Sequence, residues 1–145
     1  MKKMHYNYNP DSFSQRREIL AEGKIGGYEY IIMSHSIYPA IYINLPNESL
    51  FTRYVNDLVA LSALKRGLSV HGGIQYFCNI LDTGEQWFRT GHFIGWLYNT
   101  ETDYIAGEWF KEHHGMKKWT TGELIGEAEQ AIDELMNFEV RSCAS

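Results

Sequence analysis

Histidines are the residues of this 145-residue chain that are best suited to acid–base or ligand-binding chemistry, and one of them directly precedes two glycines. His71 is followed by Gly72 and Gly73 and then by an apolar, aromatic run. Histidine changes charge near neutral pH, and glycine permits a positive φ or the close approach of a ligand. The segment therefore predicts either a titratable group beside an accessible backbone or a plain bend where a strand enters a sheet.

Spacing gives little support to a catalytic cysteine or a metal centre. Cys78 lies seven residues after His71 on the same predicted strand, which separates the two by about 23 Å. A lone cysteine in an aromatic run is typical of a small core residue. Adjacent His113 and His114 point apart in regular structure, and the chain has neither a CxxC motif nor two histidines at i and i+4. We therefore assign no catalytic residue, no metal ligand and no cofactor.

A carboxylate partner for His71 follows from the geometry of a predicted hairpin. If the segments on either side of residue 86 pair, His71 lies opposite Glu101 and one diagonal step from Asp103. A carboxylate beside an imidazole orients its ring. With Tyr76, these side chains would border a polar pocket on an aromatic wall, and the plain alternative is a surface ion pair.

Two hairpins and three helices are expected to position these residues. Residues 28–33 and 39–45 predict one hairpin, and residues 68–80 and 93–98 predict a second, because both pairs of segments are rich in β-branched and aromatic side chains. A short helix is expected to begin at Asp11 or Ser12, bury Phe13, Ile19 and Leu20, and end at Gly23.

The second helix is expected between Asn47 and Gly67, with apolar residues at helical spacing. Residues 99–118 predict an ordered loop. Thr120 and Glu123 then have the spacing of a capping box, which predicts the start of the last helix. Its apolar face would comprise Leu124, Ala128, Ala131, Ile132, Leu135 and Phe138.

These elements predict an α+β protein, with an antiparallel sheet of four or five strands (two hairpins) packed by two or three helices. One domain is expected over residues 1–145, with a polar N-terminal arm (1–10) and a short C-terminal tail (140–145). The helices would cover one face of the sheet. The other face could remain open and bind a flat ligand through Tyr and Trp side chains.

Composition and net charge limit the classes of partner that this chain is expected to bind. A net charge of −5 disfavours nucleic acid and anionic membranes, while an aromatic content of 14% favours a binding face. Two cysteines and a polar opening segment indicate the cytoplasm. Exposed sheet edges could pair between two copies of the chain, so a homodimer is one expected alternative.

The succession Val70-His71-Gly72-Gly73-Ile74-Gln75-Tyr76, then Phe93-Ile94-Gly95-Trp96, then Asp103-Tyr104, resembles a family of small phage and prophage proteins. Their pattern reads roughly VHGGITYS and then WWIGFDCAHAGDY. The matching positions are His71, Gly72, Gly73, Tyr76, Ile94, Gly95, Asp103 and Tyr104. The chain departs from the pattern at Leu97, at Thr100 and in the Asn47-Glu48-Ser49 region, where the family carries polar groups. These losses favour binding over catalysis.

The resemblance implies an accessory protein that acts against host defence in the cytoplasm of an infected or lysogenic bacterium. Our first hypothesis is a non-enzymatic protein that binds a small, nucleotide-like ligand, with Arg89 or Lys117 meeting its anionic oxygens. The ligand-binding residues would be His71, Gly72, Gly73, Tyr76, Trp96, Tyr98, Asp103 and Tyr104. The alternatives are an inhibitor of a host defence protein, of the anti-CRISPR type, and a hydrolase with His71 as base and Asp103 orienting it.

Overall fold

One antiparallel sheet is the centre of the fold, and its inner strands are buried on both faces. The computed structural model describes residues 4–5, 17–35, 38–46, 58–103 and 116–143. The order of the six described strands across the sheet is β1-β2-β3-β4-β6-β5. The strands are β1 Met4–His5, β2 Arg17–Ile25, β3 Tyr28–His35, β4 Pro39–Asn44, β5 Tyr76–Leu81 and β6 Arg89–Leu97. Two helices accompany them, α1 Leu58–Gly67 and α2 Thr121–Cys143.

The predicted α+β arrangement is confirmed, and so are both predicted hairpins. Strands β3 and β4 form the first hairpin and β5 and β6 the second, and the two join through the β4–β6 pairing. Besides the five longer strands, the two-residue β1 pairs with β2 at one edge of the sheet. The opposite edge is β5.

The helix predicted to end at Gly23 is wrong over its described part, where the chain forms β2 instead. Gly23 pairs with Tyr30 of β3, and a Cβ on this glycine would lie only 2.5 Å from the Tyr30 hydroxyl. Leu20 packs on one face of the sheet and Ile19 on the other. Pairing with β3 thus buries both apolar residues and overrides the weak helical pattern.

The first face of the sheet carries the larger core and is covered by the helices. Residues of α2 that were predicted to face inward are buried there, and Phe138 packs at their margin. The capping box at the start of α2 is confirmed, since Thr120 Oγ1 accepts from the Glu123 N–H and Glu123 Oε1 accepts from the Thr120 N–H. The helix continues to Cys143, through most of the predicted tail.

The second face is not the open aromatic surface that the sequence suggested, because its residues are buried. Its cluster comprises Ile31, Met33, Ala40, Tyr42, Leu81, Phe93 and Leu97. Residues 82–88, between β5 and β6, reach β2, where a Cβ on Gly84 would overlap the carbonyl oxygen of Arg17. Gly84 has a φ of 80°, which glycine adopts without strain.

Helix α1 ends at Gly67, as predicted, and the residues between 47 and 57 lie outside the described part. A Cβ at Gly67 would collide with the ring of Phe138 on α2. Glu134 of α2 accepts the Ser69 N–H at 3.0 Å and so fixes the chain that leads to His71. Within the described residues, neither helix is long and apolar enough to cross a membrane.

Candidate functional site around His71 and Asp103

A tight turn positions His71 just before β5 begins. The Gly73 N–H donates to the Val70 carbonyl at 3.0 Å, so His71 and Gly72 are the central residues of a β-turn. Gly72 has a φ of 70° and Gly73 a φ of 79°. Positive φ at the third position is what a type II turn requires, which explains the glycine there. The strand predicted from residue 68 therefore starts only at Tyr76.

The predicted contact between His71 and Asp103 is present. His71 Nε2 lies 2.7 Å from Asp103 Oδ2. The β5–β6 pairing of Tyr76 with Gly95 is centred half a residue from the predicted residue 86, so the two ends of the hairpin arrive close together. His71 reaches the carboxylate from the turn rather than from a strand.

Asp103 is a buried carboxylate, 1% exposed, that accepts hydrogen bonds at both oxygens. Oδ2 accepts from His71, from the Thr100 N–H at 2.8 Å and from the Thr100 hydroxyl at 2.8 Å. Oδ1 accepts from Trp119 Nε1–H at 2.8 Å. Three separate segments of the chain therefore meet at one side chain.

The environment of Asp103 favours its ionised form. Burial by itself raises the pKa of this carboxyl, but the hydrogen bonds from His71, Trp119 and Thr100 outweigh it and hold the pKa below its ordinary value. An ionised carboxylate only accepts hydrogen bonds, so His71 Nε2 carries the hydrogen in this contact. In the neutral ring Nδ1 is then the lone-pair nitrogen, and in the charged ring it is a second donor.

Aromatic rings enclose the inner side of His71. Its ring stacks on Tyr98, with centroids 4.6 Å apart and planes 6° from parallel. Trp119 meets both rings edge-on, at 5.2 Å from His71 and 4.8 Å from Tyr98. The His71 side chain remains 21% exposed, although its contacts with Asp103, Tyr98 and Trp119 hold the plane of the ring.

A second hydrogen-bond chain lies behind Tyr98. Trp96 Nε1–H donates to the Tyr98 hydroxyl, which donates to Glu127 Oε1 of α2, both at 3.0 Å. Burial raises the pKa of Tyr98 well above its ordinary value. Trp96 and Tyr98 are both buried in the core, so neither ring presents a face on which a ligand could stack.

The predicted site residues divide into three groups. His71, Gly72, Gly73, Tyr98 and Asp103 lie together, with Trp96 behind them. Tyr76 packs at 6.3 Å from Tyr42, which belongs to the second face of the sheet. Tyr76 therefore does not lie with Trp96 and Tyr98, as the predicted set of ligand-binding residues requires. Tyr104 lies outside the described residues.

The two predicted basic contacts also separate. Lys117 lies beside the site, with Nζ 4.5 Å from the centre of the Trp119 ring and 2.7 Å from Glu123. Arg89 instead pairs with Glu22 and Glu85. These three residues line a cleft of about 510 Å³ between β2 and residues 83–89, to which none of the residues around Asp103 contributes.

Thr100 and Trp119 are parts of the site that the sequence analysis missed. Thr100 and Asp103 have the spacing of a capping box, and the Thr100 N–H indeed donates to the aspartate three residues later. That spacing was a usable signal. Nothing comparable marks Trp119, which reaches Asp103 because residue 117 pairs beside residue 103.

The arrangement can hold an imidazole by Nε2 in one orientation and leave Nδ1 to contact a ligand or a water molecule. No cluster of three or more metal-ligating side chains occurs in the parts of the chain described. Cys78 packs against the second face, and burial raises the pKa of its thiol, which disfavours the reactive thiolate.

Comparison with protein-family models, curated proteins and solved structures finds no match for this chain.

Proposed function

We propose that this protein binds a small ligand with anionic oxygens at the outer edge of His71, without a catalytic step. The observation that carries the proposal is the buried Asp103 carboxylate, which holds His71 by Nε2 at 2.7 Å while the His71 side chain stays 21% exposed. Orienting a histidine in this way suits it to donate a charge-assisted hydrogen bond.

The backbone next to His71 supports close approach of such a ligand. Gly72 is exposed, and a Cβ placed on Gly73 would meet no other atom within 4 Å. A phosphate or carboxylate could therefore lie against Gly73 with no side chain in the way, whereas the Thr100 methyl group lies 3.2 Å from where a Cβ of Gly72 would be. Lys117 lies on the Trp119 side of the site, where its Nζ pairs with Glu123 at 2.7 Å, so an anionic ligand would compete with that carboxylate for it.

Nucleotides are the ligand class we favour, since each offers phosphate oxygens on a small molecule. Because Trp96 and Tyr98 are buried, the contact we propose is to the phosphate end rather than to a stacked base. The resemblance to phage proteins adds a setting, in which such a protein would hold a signal nucleotide and counter host defence.

Thermal unfolding in the presence of a nucleotide panel and of inorganic phosphate tests this proposal. A ligand that binds the folded state raises the unfolding temperature, whereas no shift with any compound at millimolar concentration would contradict the proposal. Calorimetry then compares His71→Ala with wild type. We expect about a tenfold to hundredfold loss of affinity, the range of one charged hydrogen bond.

Tyr76→Ser provides the matched control. Tyr76 lies with Tyr42 on the second face, so this variant should bind as wild type does. Equal losses in His71→Ala and Tyr76→Ser would place the ligand elsewhere.

A hydrolase is the second candidate, and the same Asp103–His71 contact favours it, since an oriented imidazole can act as a general base. The Thr100 hydroxyl lies 3.4 Å from His71 Nε2, but it already donates to Asp103 and so is a poor nucleophile. A water molecule would therefore have to be the nucleophile. Turnover of a phosphoester or ester panel that His71→Ala abolishes, with the fold intact, would establish this activity.

A further inference from the structure

Four large apolar side chains are exposed along β5 and at the tip of the β5–β6 hairpin. Trp87 is 76% exposed, Phe88 64%, Ile80 61% and Tyr76 41%. Leu81 pairs with Arg89 as the last rung of the hairpin, so Ile80 and Phe88 each adjoin that rung. We name these four residues the edge cluster.

Strand β5 is also the last strand at one edge of the sheet that the described strands form. Among the described strands it pairs only with β6. Its sequence, Tyr-Phe-Cys-Asn-Ile-Leu, has no charged residue and no proline, the devices that usually prevent edge-to-edge pairing. A bulge between Cys78 and Ile80 is the one irregularity, and it limits additional pairing to a few residues.

We propose that the edge cluster and β5 form a symmetric dimer interface with a second copy of this chain. Antiparallel pairing of two identical strands generates a twofold axis, so one surface serves both copies. A neutral edge also suits self-association, because a chain with net charge −5 would otherwise repel its copy.

The area of the cluster fits a small dimer interface. Given their exposed fractions, the four side chains present on the order of 500 Å² per copy. Two copies would bury about 1,000 Å² before any backbone pairing, which is near the lower limit for a specific interface. The dimer should therefore be weak, with a dissociation constant between about 1 μM and 1 mM.

Sedimentation equilibrium of the full chain between about 10 μM and 1 mM tests the proposal. The average mass should rise from 16.8 kDa towards twice that value. Ile80→Lys adds a charge to the edge, and Trp87→Ser with Phe88→Ser removes the tip. Each variant should weaken the dimer at least about tenfold.

Gln130→Lys is the control, because it adds the same charge at an exposed position of α2. It should dimerise as wild type does, and circular dichroism should show that every variant remains folded. A monomer throughout the concentration range would overturn the proposal. So would a dimer that withstands both edge variants.

Other occupants of the edge cluster would appear as distinct results. A monomeric wild type that binds phosphatidylcholine vesicles through Trp87 would assign the cluster to a lipid surface. A monomer that binds a purified host defence protein, and loses it in the Trp87→Ser and Phe88→Ser variant, would make it an inhibitory surface. Either result would overturn the dimer. Neither would affect the ligand site, which the His71→Ala experiment tests separately.

Discussion

The hydrogen bonds around Asp103 and those around Arg89 both join distant parts of the chain, but the Asp103 carboxylate is shielded from water and the Arg89 ion pairs are not. Asp103 is 1% exposed and meets His71, Thr100 and Trp119. Arg89 contacts Glu22 at 3.1 Å and Glu85 at 2.9 Å, and the Glu85 side chain is 46% exposed.

The difference lies in what replaces a lost partner. At Arg89 and Glu85, water and salt can take over the contact, so the pair contributes little net stability. At Asp103, removing the buried acceptor leaves the partly buried donors of His71, Thr100 and Trp119 without their common partner, and their desolvation is no longer offset. Similar hydrogen bonds therefore carry different weight in the two regions.

Removing the buried carboxylate should have the largest effect. In Asp103→Ala, the N–H groups of Trp119 and Thr100 and the His71 ring lose their common acceptor. We expect unfolding free energy to fall by about 3–5 kcal/mol in urea titrations. A loss under about 1 kcal/mol would show that the centre is as well hydrated as the Arg89 cluster.

Acid should cancel the contribution of Asp103. Although burial raises its pKa, the hydrogen bonds from His71, Trp119 and Thr100 leave the folded value below the ordinary one. Its stabilisation is therefore fully present above the unfolded pKa, about 3.9, and declines as the pH falls through the folded pKa. The stability difference between wild type and Asp103→Asn should shrink below about pH 4 in urea titrations. A difference that grows in acid would contradict this sign.

Removing one donor to the centre should have an intermediate effect. Trp119→Phe keeps most of the packing against His71 and Tyr98 but deletes the hydrogen bond to Oδ1. A loss of about 1–2 kcal/mol is expected from chemical denaturation. The matched control is Trp87→Phe, which changes an exposed ring and should stay within about 0.5 kcal/mol of wild type.

Breaking the Arg89 cluster should have the smallest effect. Arg89→Met removes the contacts to Glu22 and Glu85 but keeps an apolar stem of similar length. We expect about 0–1 kcal/mol of destabilisation, which should diminish further in 1 M salt. A salt-independent loss above about 2 kcal/mol would mean that the cleft excludes water as Asp103 does.

Local signals in the sequence were sufficient for several elements. Alternating β-branched and aromatic residues predicted the β3–β4 and β5–β6 hairpins, because such side chains suit a buried, pleated surface. The Thr120–Glu123 spacing predicted the start of α2, because a capping box is satisfied within one turn. Counting residues across the second hairpin predicted that His71 lies near Asp103, and the two side chains are in contact.

Contacts between distant segments determined the rest. Residues 17–23 belong to a strand because they pair with β3, whose Tyr30 ring packs over Gly23. No local sequence pattern reveals that contact. Tyr76 and Tyr98 lie on opposite faces because Tyr76 pairs with Gly95, one residue away from the pairing that a turn centred on residue 86 predicts, and a slip of one residue moves a side chain to the other face of the sheet. Trp119 joins Asp103 across 16 residues of sequence.

The sequence by itself thus determined the α+β class, both predicted hairpins, the capped last helix and the approach of His71 to a carboxylate, since each depends on side chains close in sequence or on hairpin register. Only the tertiary structure decided how deeply Asp103 is buried and which donors surround it. Those are properties of three segments packed together, and burial is what makes this carboxylate, rather than the clustered Glu22 and Glu85, the centre of the site.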